Sequence, residues 1–226
     1  MLDLLDNITW HSLSGPHARF SAGGAAARRY ARGFSPILGF ADPVRPDFDA
    51  LRAHCDVGES FYTDGWAGTP PRDWSVKIET TMFKMVWDAP MPREDPAADA
   101  MPLGEPHAAQ AVALAQLTHP GPFALRTIEL GEYFGYLEDG RLVAMAGERM
   151  QGGAFHEISG VCTHPDRQGR GFARRLMLKL VGRQMRRGKT PFLHVMRDNA
   201  RARELYQRMG FREYRESVVR VIERMA

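Results

Sequence analysis

Hydrophobic and polar positions change rhythm several times along the chain, and each change predicts an element. Phe155 to Thr163 is rich in strand-compatible residues and is stopped by His164-Pro165-Asp166, because proline removes a ladder donor and restrains the residue before it. From Phe172 onward the apolar residues fall at Phe172/Ala173, Leu176/Met177, Leu180/Val181 and Met185. That is the spacing of one buried helical stripe, with the intervening arginines and Lys179 expected to face outward. Thr190 to Met196 reads as the next strand. A strand-helix-strand unit of this length predicts a right-handed parallel crossover, with a ligand crevice beyond the carboxyl ends of its two strands. Asn199 can cap the following helix, Gly210 stops it in the left-handed conformation, and Tyr214 to Met225 closes the chain as a strand. Upstream, Tyr133 to Leu137 and Leu142 to Met150 flank an Asp139-Gly140 turn and predict a hairpin, and His107 to Leu117 predicts a short alanine-rich helix.

The first part of the chain is broken more finely. Gly15-Pro16, Gly23-Gly24, Ser35-Pro36, Asp42-Pro43 and Gly58 leave room only for short elements, such as a strand within Ser35 to Phe40 and a helix over Phe48 to His54. That helix would set Phe48, Leu51 and Cys55 on one side. Residues 1–72 are expected to form an N-terminal extension that extends the sheet, covers one face or makes a dimer contact, with residues 73–226 as the main domain. His11, His17 and His54 have no matching cluster and read as surface or packing residues. Trp74 to Trp87 is extended, its second half being the first strand of the main domain. Asp88 to Glu105 carries Pro90, Pro92, Pro96 and Pro102 among acidic residues, suits no packed element and reads as a mobile loop.

Composition narrows the class. A chain of 226 residues that is 44% hydrophobic can bury a proper core. No run approaches the ~20 apolar residues of a membrane helix, and Asp3 and Asp6 stand where a signal peptide would be basic. A cytoplasmic protein with no membrane partner is expected. Cys55 and Cys162 lack metal-site spacing, so reduced thiols and no metal are expected. The net charge of +3 is mild for a nucleic-acid binder. The basic residues from Arg167 to Lys189 have few aromatics interleaved as stacking platforms, so most read as a solvated helix face and nucleic acid is not an expected partner.

Between the strand and the long helix lies Gln168-Gly169-Arg170-Gly171-Phe172-Ala173. Gly169 and Gly171 remove the Cβ atoms that would block close approach, so successive backbone N–H groups can turn toward one anion at a helix N-terminus. This segment matches Q/R-x-x-G-x-G/A, and Asn199 to Phe211 matches N-x-x-A-x-x-L-Y-x-x-x-G-F. With both blocks in this order the chain resembles the GNAT N-acetyltransferase superfamily, from about Tyr133 to the C-terminus and back toward Trp74.

The resemblance implies a mixed α/β fold of the GNAT acyl-CoA N-acyltransferase type, a mostly antiparallel central sheet with one splayed parallel pair, flanked by helices. It also implies transfer of an acetyl group from acetyl-CoA to a primary amine of a small molecule, peptide or protein, by direct attack in a ternary complex. Gln168 to Ala173 would hold the pyrophosphate, with Arg170 and its neighbours near the helix start attracting the phosphates of coenzyme A. Val161 would offer its backbone N–H to the oxyanion, helped by a bulge at Gly160, and Cys162 and Thr163 would run along the pantetheine arm. Tyr206 matches the family's acid, or is a core tyrosine; Asn199 matches a cofactor contact, or is only a helix cap. Glu157, eleven positions before Gln168, stands where several members place a catalytic glutamate. Deprotonating an amine of pKa about 10.4 near neutral pH costs roughly 4.6 kcal/mol, so a base is useful. Glu157 is the leading candidate, with a salt-bridged strand glutamate as the plain reading and Glu148, His156 or a carboxylate of the proline-rich loop as substitutes. In this family such a loop often lines the acceptor site. No Cys-His-Asp/Asn arrangement supports an acyl-Cys162 route. A monomer or homodimer is expected, and a non-catalytic acyl-CoA-binding regulatory module is the alternative function.

Overall fold

The computed structural model describes residues 3–226. Eleven strands form in chain order: β1 (Ser21–Gly23), β2 (Ala27–Tyr30), β3 (Leu38–Phe40), β4 (Ser60–Asp64), β5 (Trp74–Trp87), β6 (Met101–Leu103), β7 (Tyr133–Glu138), β8 (Arg141–Gly152), β9 (Phe155–Thr163), β10 (Thr190–Met196) and β11 (Phe211–Arg224). The helices are α1 (Asp3–Asp6), α2 (Ile8–Ser14), α3 (Ala108–Thr118), α4 (Phe172–Arg186) and α5 (Ala200–Met209). β4 to β11 make one eight-stranded sheet in the order β4-β11-β5-β10-β9-β8-β7-β6, antiparallel throughout except for the β9/β10 pair. That single parallel pair follows from α4, which carries the chain from the end of β9 back to the start of β10. Asp139 and Gly140, at φ 50° and 76°, turn β7 into β8 as the Asp-Gly signal predicts.

The apolar stripe of α4 buries Leu176, Met177, Leu180 and Val181 against Ala144, Ala146, Ile158, Leu193 and Val195, and α5 joins this side through Leu205 and Tyr206. On the opposite face Leu5, Ile8, Leu13, Tyr30, Phe34 and Ile37 pack on Val86, Met150, Phe155 and Phe192. The first part of the chain therefore covers one face of the sheet, with β1-β2-β3 as a small sheet of its own. It also extends the main sheet, because β4 pairs with β11. The expected boundary after residue 72 thus falls between two strands of one sheet. Among the described residues no helix is long and apolar enough to cross a membrane.

Several expectations are corrected. Trp74–Trp87 is one continuous strand, β11 begins at Phe211 directly after the left-handed Gly210, and Phe48 to His54 is a 3-10 turn over Asp49–His54. The segment 88–105 is packed rather than free: Met101–Leu103 is an edge strand on β7, and Ala97 and Ala100 are buried in the α4 cluster. Lys179 consequently does not face solvent. Its Nζ donates to Asp95 Oδ2 at 2.7 Å and to the Ala97 carbonyl at 3.1 Å, beneath that segment.

Two buried charges show how polar groups are accommodated inside the fold. Lys84 on β5 is 1% exposed, yet its Nζ lies 2.8 Å from Asp64 Oδ2 and donates to the Leu5 carbonyl at 2.8 Å. At the far end of α4, Glu148 of β8 accepts from Gln184 Nε2 at 2.9 Å and is paired with Arg187. Burial alone would raise the Glu148 pKa, but contacts with His156, Gln184 and Arg187 bring it down to about 2.

Lys84→Met strands Asp64 without its cation, and urea unfolding should show a loss of about 3–5 kcal/mol, most of it regained in the Asp64→Leu/Lys84→Met double variant. The Glu148 carboxylate contributes stability that is present above its ordinary value of 4.5 and is lost as pH falls through about 2. Glu148→Gln should be less stable by about 2–3 kcal/mol at neutral pH and lose less on acidification, measured by unfolding at a series of pH values.

Candidate active site

β9 and β10 are in register only over Phe155–Glu157 and Thr190–Phe192, after which they part. A cavity of about 290 Å³ occupies the fork. β9 contributes Ile158 to Val161, β10 contributes Leu193 to Met196, and Asn199 and Tyr206 close it from the α5 side. The opposite wall comes from Thr9, Ile37, Tyr62 and Asp64, and the segment after α3 adds His119 to Pro122.

Gly160 sits at φ +62° at a register shift in the β8/β9 ladder, where Gly160 and Val161 together oppose Ala146. Pairing with β10 has already ended at Glu157, so Val161 has no ladder partner on either neighbour. This is the bulge expected at Gly160, and a side chain there would be strained and would meet the Tyr133 ring at 3.2 Å. Cys162 and Thr163 re-enter the ladder opposite Met145 and Ala144. The Cys162 thiol is buried, and burial pushes it up to about 12, which suits an inert strand cysteine.

Gln168 to Ala173 leads from β9 into α4. Gly169 and Gly171 are left-handed, at φ +78° and +76°, with no protein atom within 4 Å of where a Cβ would stand. The space above the loop is therefore open to a ligand, and Gly171 is the residue before the first turn of α4. Phe172 anchors the turn against the Tyr136 ring at 4.6 Å. Arg170 is engaged at its Nη1, which pairs with Glu138 Oε1 at 2.6 Å, and Arg167 pairs with the same carboxylate. Ala173 lies within the first turn of α4 and Asn199 caps α5 by accepting from the Ala202 N–H at 3.1 Å while also lining the cavity. Tyr206 lines the cavity too; its hydroxyl makes no hydrogen bond within the described residues, and burial raises its pKa to about 12, so it stays protonated.

Glu157 is placed otherwise than a free base would be. It is 0% exposed and accepts four hydrogen bonds: from Arg149 Nε at 3.0 Å and Nη2 at 2.7 Å, from the Met150 N–H at 3.1 Å, and from His194 Nδ1 at 2.7 Å. A second bulge, with Arg149 and Met150 both opposite Glu157, brings those donors together. Burial alone would raise its pKa, but Arg149 and His194 hold the carboxyl far below the ordinary range. Such a carboxylate has little tendency to accept a proton. The substitutes fare no better: Glu148 is tied to α4 and does not line the cavity, His156 lies beside it, and Asp95 and Asp99 of the proline-rich segment bind Lys179 and Arg175.

Sequence reasoning missed His194, Arg149, Asp64 and Tyr62. His194 lines the cavity, and its second ring nitrogen, Nε2, is buried with no hydrogen-bond partner among the described residues. Its signal was a lone histidine in an apolar strand, two residues beyond Phe192, which pairs with Glu157. Among the described residues no group of three or more His, Cys, Asp or Glu side chains is arranged to hold a metal ion.

Comparison with known proteins agrees with this architecture. The family model described as FR47-like protein matches residues 133–221. No curated protein matches the chain. Among solved structures, one from Novosphingobium aromaticivorans DSM 12444, provisionally named an acetyltransferase from the GNAT family, is 32% identical, with 98% of this chain and 99% of that chain covered and a TM-score of 0.88. A GCN5-related N-acetyltransferase-like protein from Streptococcus suis 89/1591 is 14% identical over 96% of this chain and 92% of its own, at a TM-score of 0.62. A GCN5-related N-acetyltransferase from Kribbella flavida is 15% identical over 97% and 95%, at 0.60, and these two bear on the fold alone. Full-length similarity to the first, on a sheet that forks beside a glycine loop and helix, means that this chain belongs to the GNAT family.

Proposed function

We propose that the protein is an N-acetyltransferase that moves an acetyl group from acetyl-CoA to a primary amine by direct attack while both are bound. The observation that carries this reading is the fork itself: a ladder-free Val161 and a protonated, unpartnered Tyr206 line one cavity, and the same strand β9 leads into an open glycine loop at the start of α4. Acetyl-CoA, when bound, supplies an activated thioester carbonyl and a thiol leaving group. Gly169, Gly171 and the first turn of α4 would hold its pyrophosphate through backbone N–H groups and the positive end of the helix. Arg174, exposed in that turn and without an ion pair among the described residues, is better disposed toward phosphate than Arg170.

Val161 would present its N–H to the carbonyl oxygen as negative charge develops there, and a donor fixed beforehand needs no reorganisation at that moment. Tyr206 would give a proton to the departing sulfur. Cys162 and Thr163 would run beside the pantetheine arm through their backbone, and Asn199 would touch the cofactor while holding α5. The wall formed by Thr9, Ile37, Tyr62 and Asp64 would be the acceptor side, giving residues 1–72 a part in substrate choice.

Calorimetric titration with acetyl-CoA should show saturable binding, weakened at least about tenfold in Gly171→Val, whose side chain forces a left-handed residue and fills the open cradle. Unchanged affinity in that variant would place the cofactor elsewhere. Tyr206→Phe should lower kcat for thiol release over a panel of primary amines by about 10²-fold, with acetyl-CoA affinity within about twofold of wild type. Equal turnover would return Tyr206 to a packing role.

A further inference from the structure

We infer that the proton acceptor of the reaction is His194, through Nε2, and that Glu157 is its positioning residue; this rests on the acetyltransferase reading and supplies the base that reading lacks. A carboxylate only accepts, so the 2.7 Å contact between Glu157 Oε1 and His194 Nδ1 requires a proton on Nδ1. In the neutral ring Nε2 then carries the lone pair, and it is the ring nitrogen with no partner, on a side chain that lines the cavity beside Val161 and Tyr206. Arg149 grips both oxygens of Glu157, so the carboxylate can neither rotate away nor readily take the proton itself.

The charges around the ring suit a transient imidazolium. Glu157 of β9 faces it with Arg149 of β8 behind, while Lys84 of β5 is its cross-strand neighbour, with Asp64 of β4 behind that lysine. Two carboxylates and two fixed cations thus lie on the strands around the ring, and Tyr206, Tyr62 and His119 are further groups that line the cavity. A proton arriving at Nε2 meets the Glu157 carboxylate through the opposite nitrogen, as in any carboxylate-histidine pair that stabilises imidazolium.

The step balances without a further reactant. An ammonium acceptor gives one proton to Nε2, and the freed nitrogen lone pair forms the C–N bond at the acetyl carbon. The C–S bond breaks with its electron pair on sulfur, and sulfur is protonated from Tyr206, which recovers its proton from the second one leaving nitrogen. His194 returns its proton to solvent, so one proton is released per turnover.

Three measurements test this. Nitrogen–proton correlation NMR of the wild-type histidine rings, with His194 assigned through its own backbone, should show the neutral Nδ1–H tautomer with a bare Nε2 at neutral pH. A neutral ring protonated at Nε2 would overturn the proposal, whatever the variants do. His194→Gln is then compared with wild type on two probes: phenethylamine, an ammonium near neutral pH that needs a base, and hydroxylamine, which is largely unprotonated there. The variant should lose about 10²-fold or more in kcat with phenethylamine and at least about tenfold less than that with hydroxylamine. Equal losses on both probes, or none, would overturn the proposal. Glu157→Gln should reduce the bare-Nε2 population and lower kcat with little change in KM; an unaltered tautomer would remove the positioning role. Acetyl-CoA titration of wild type and His194→Gln separates the two readings: intact binding in both with an unaffected rate in the variant removes the base and leaves the acetyltransferase, whereas no binding to wild type removes both.

Discussion

A row of buried charges crosses the sheet, and the site depends on it. Asp64, Lys84, His194, Glu157 and Arg149 lie on β4, β5, β10, β9 and β8, with contacts of 2.8 Å between Asp64 and Lys84 and 2.7 Å on both sides of Glu157, and with Lys84 and His194 as cross-strand neighbours. Buried charges are tolerated only when each finds opposite charge and its remaining hydrogen-bonding capacity is filled. Here Lys84 donates its spare protons to carbonyls at Leu5 and Asp6 and Glu157 takes a backbone N–H from Met150, which leaves His194 Nε2 as the open position of the row. The outcome is rigidity where chemistry needs it. An imidazole held by a carboxylate that is itself held by a guanidinium has one orientation available.

β9 carries two irregularities with opposite effects. Where Arg149 and Met150 crowd opposite Glu157, the extra residue is on β8 and donors converge on one carboxylate; where Gly160 and Val161 oppose Ala146, the extra residue is on β9 and a backbone position is released from pairing. Between them the strand leaves its parallel partner. The fork therefore combines a carboxylate that accepts four hydrogen bonds at its base with a backbone position out of the ladder nearer its mouth.

Much of this was legible in the sequence. The strand, glycine loop and helix from Phe155 to Arg186, the Asp139-Gly140 turn, the Asn199 cap and the Gly210 stop are local matters of proline, glycine and apolar spacing, which short windows capture. Lys179 was misjudged because its environment is made by Asp95 and Ala97, more than eighty residues away in a stretch whose prolines suggested no packing. Glu157 was found by position, but its partners were not: Arg149 reaches it through a bulge and His194 across a parallel pair, and neither relation leaves a periodic trace. Asp64 and Tyr62 lay in the part of the chain with the shortest elements, where alternation is too brief to declare a face.

The placement of β11 bears on how the molecule is made. β4 has β11 as its one strand neighbour in the main sheet, and β11 runs from Phe211 to Arg224. Asp64, at the end of β4, is held in the sheet by a pairing with Val219, more than one hundred and fifty residues later. During synthesis the early segments emerge long before the strand that seats them, and contacts of such high sequence separation form slowly. The wall of the cavity nearest the start of the chain is thus among the last parts to be set, and the protein gains a competent interior only when its final strand slots between β4 and β5.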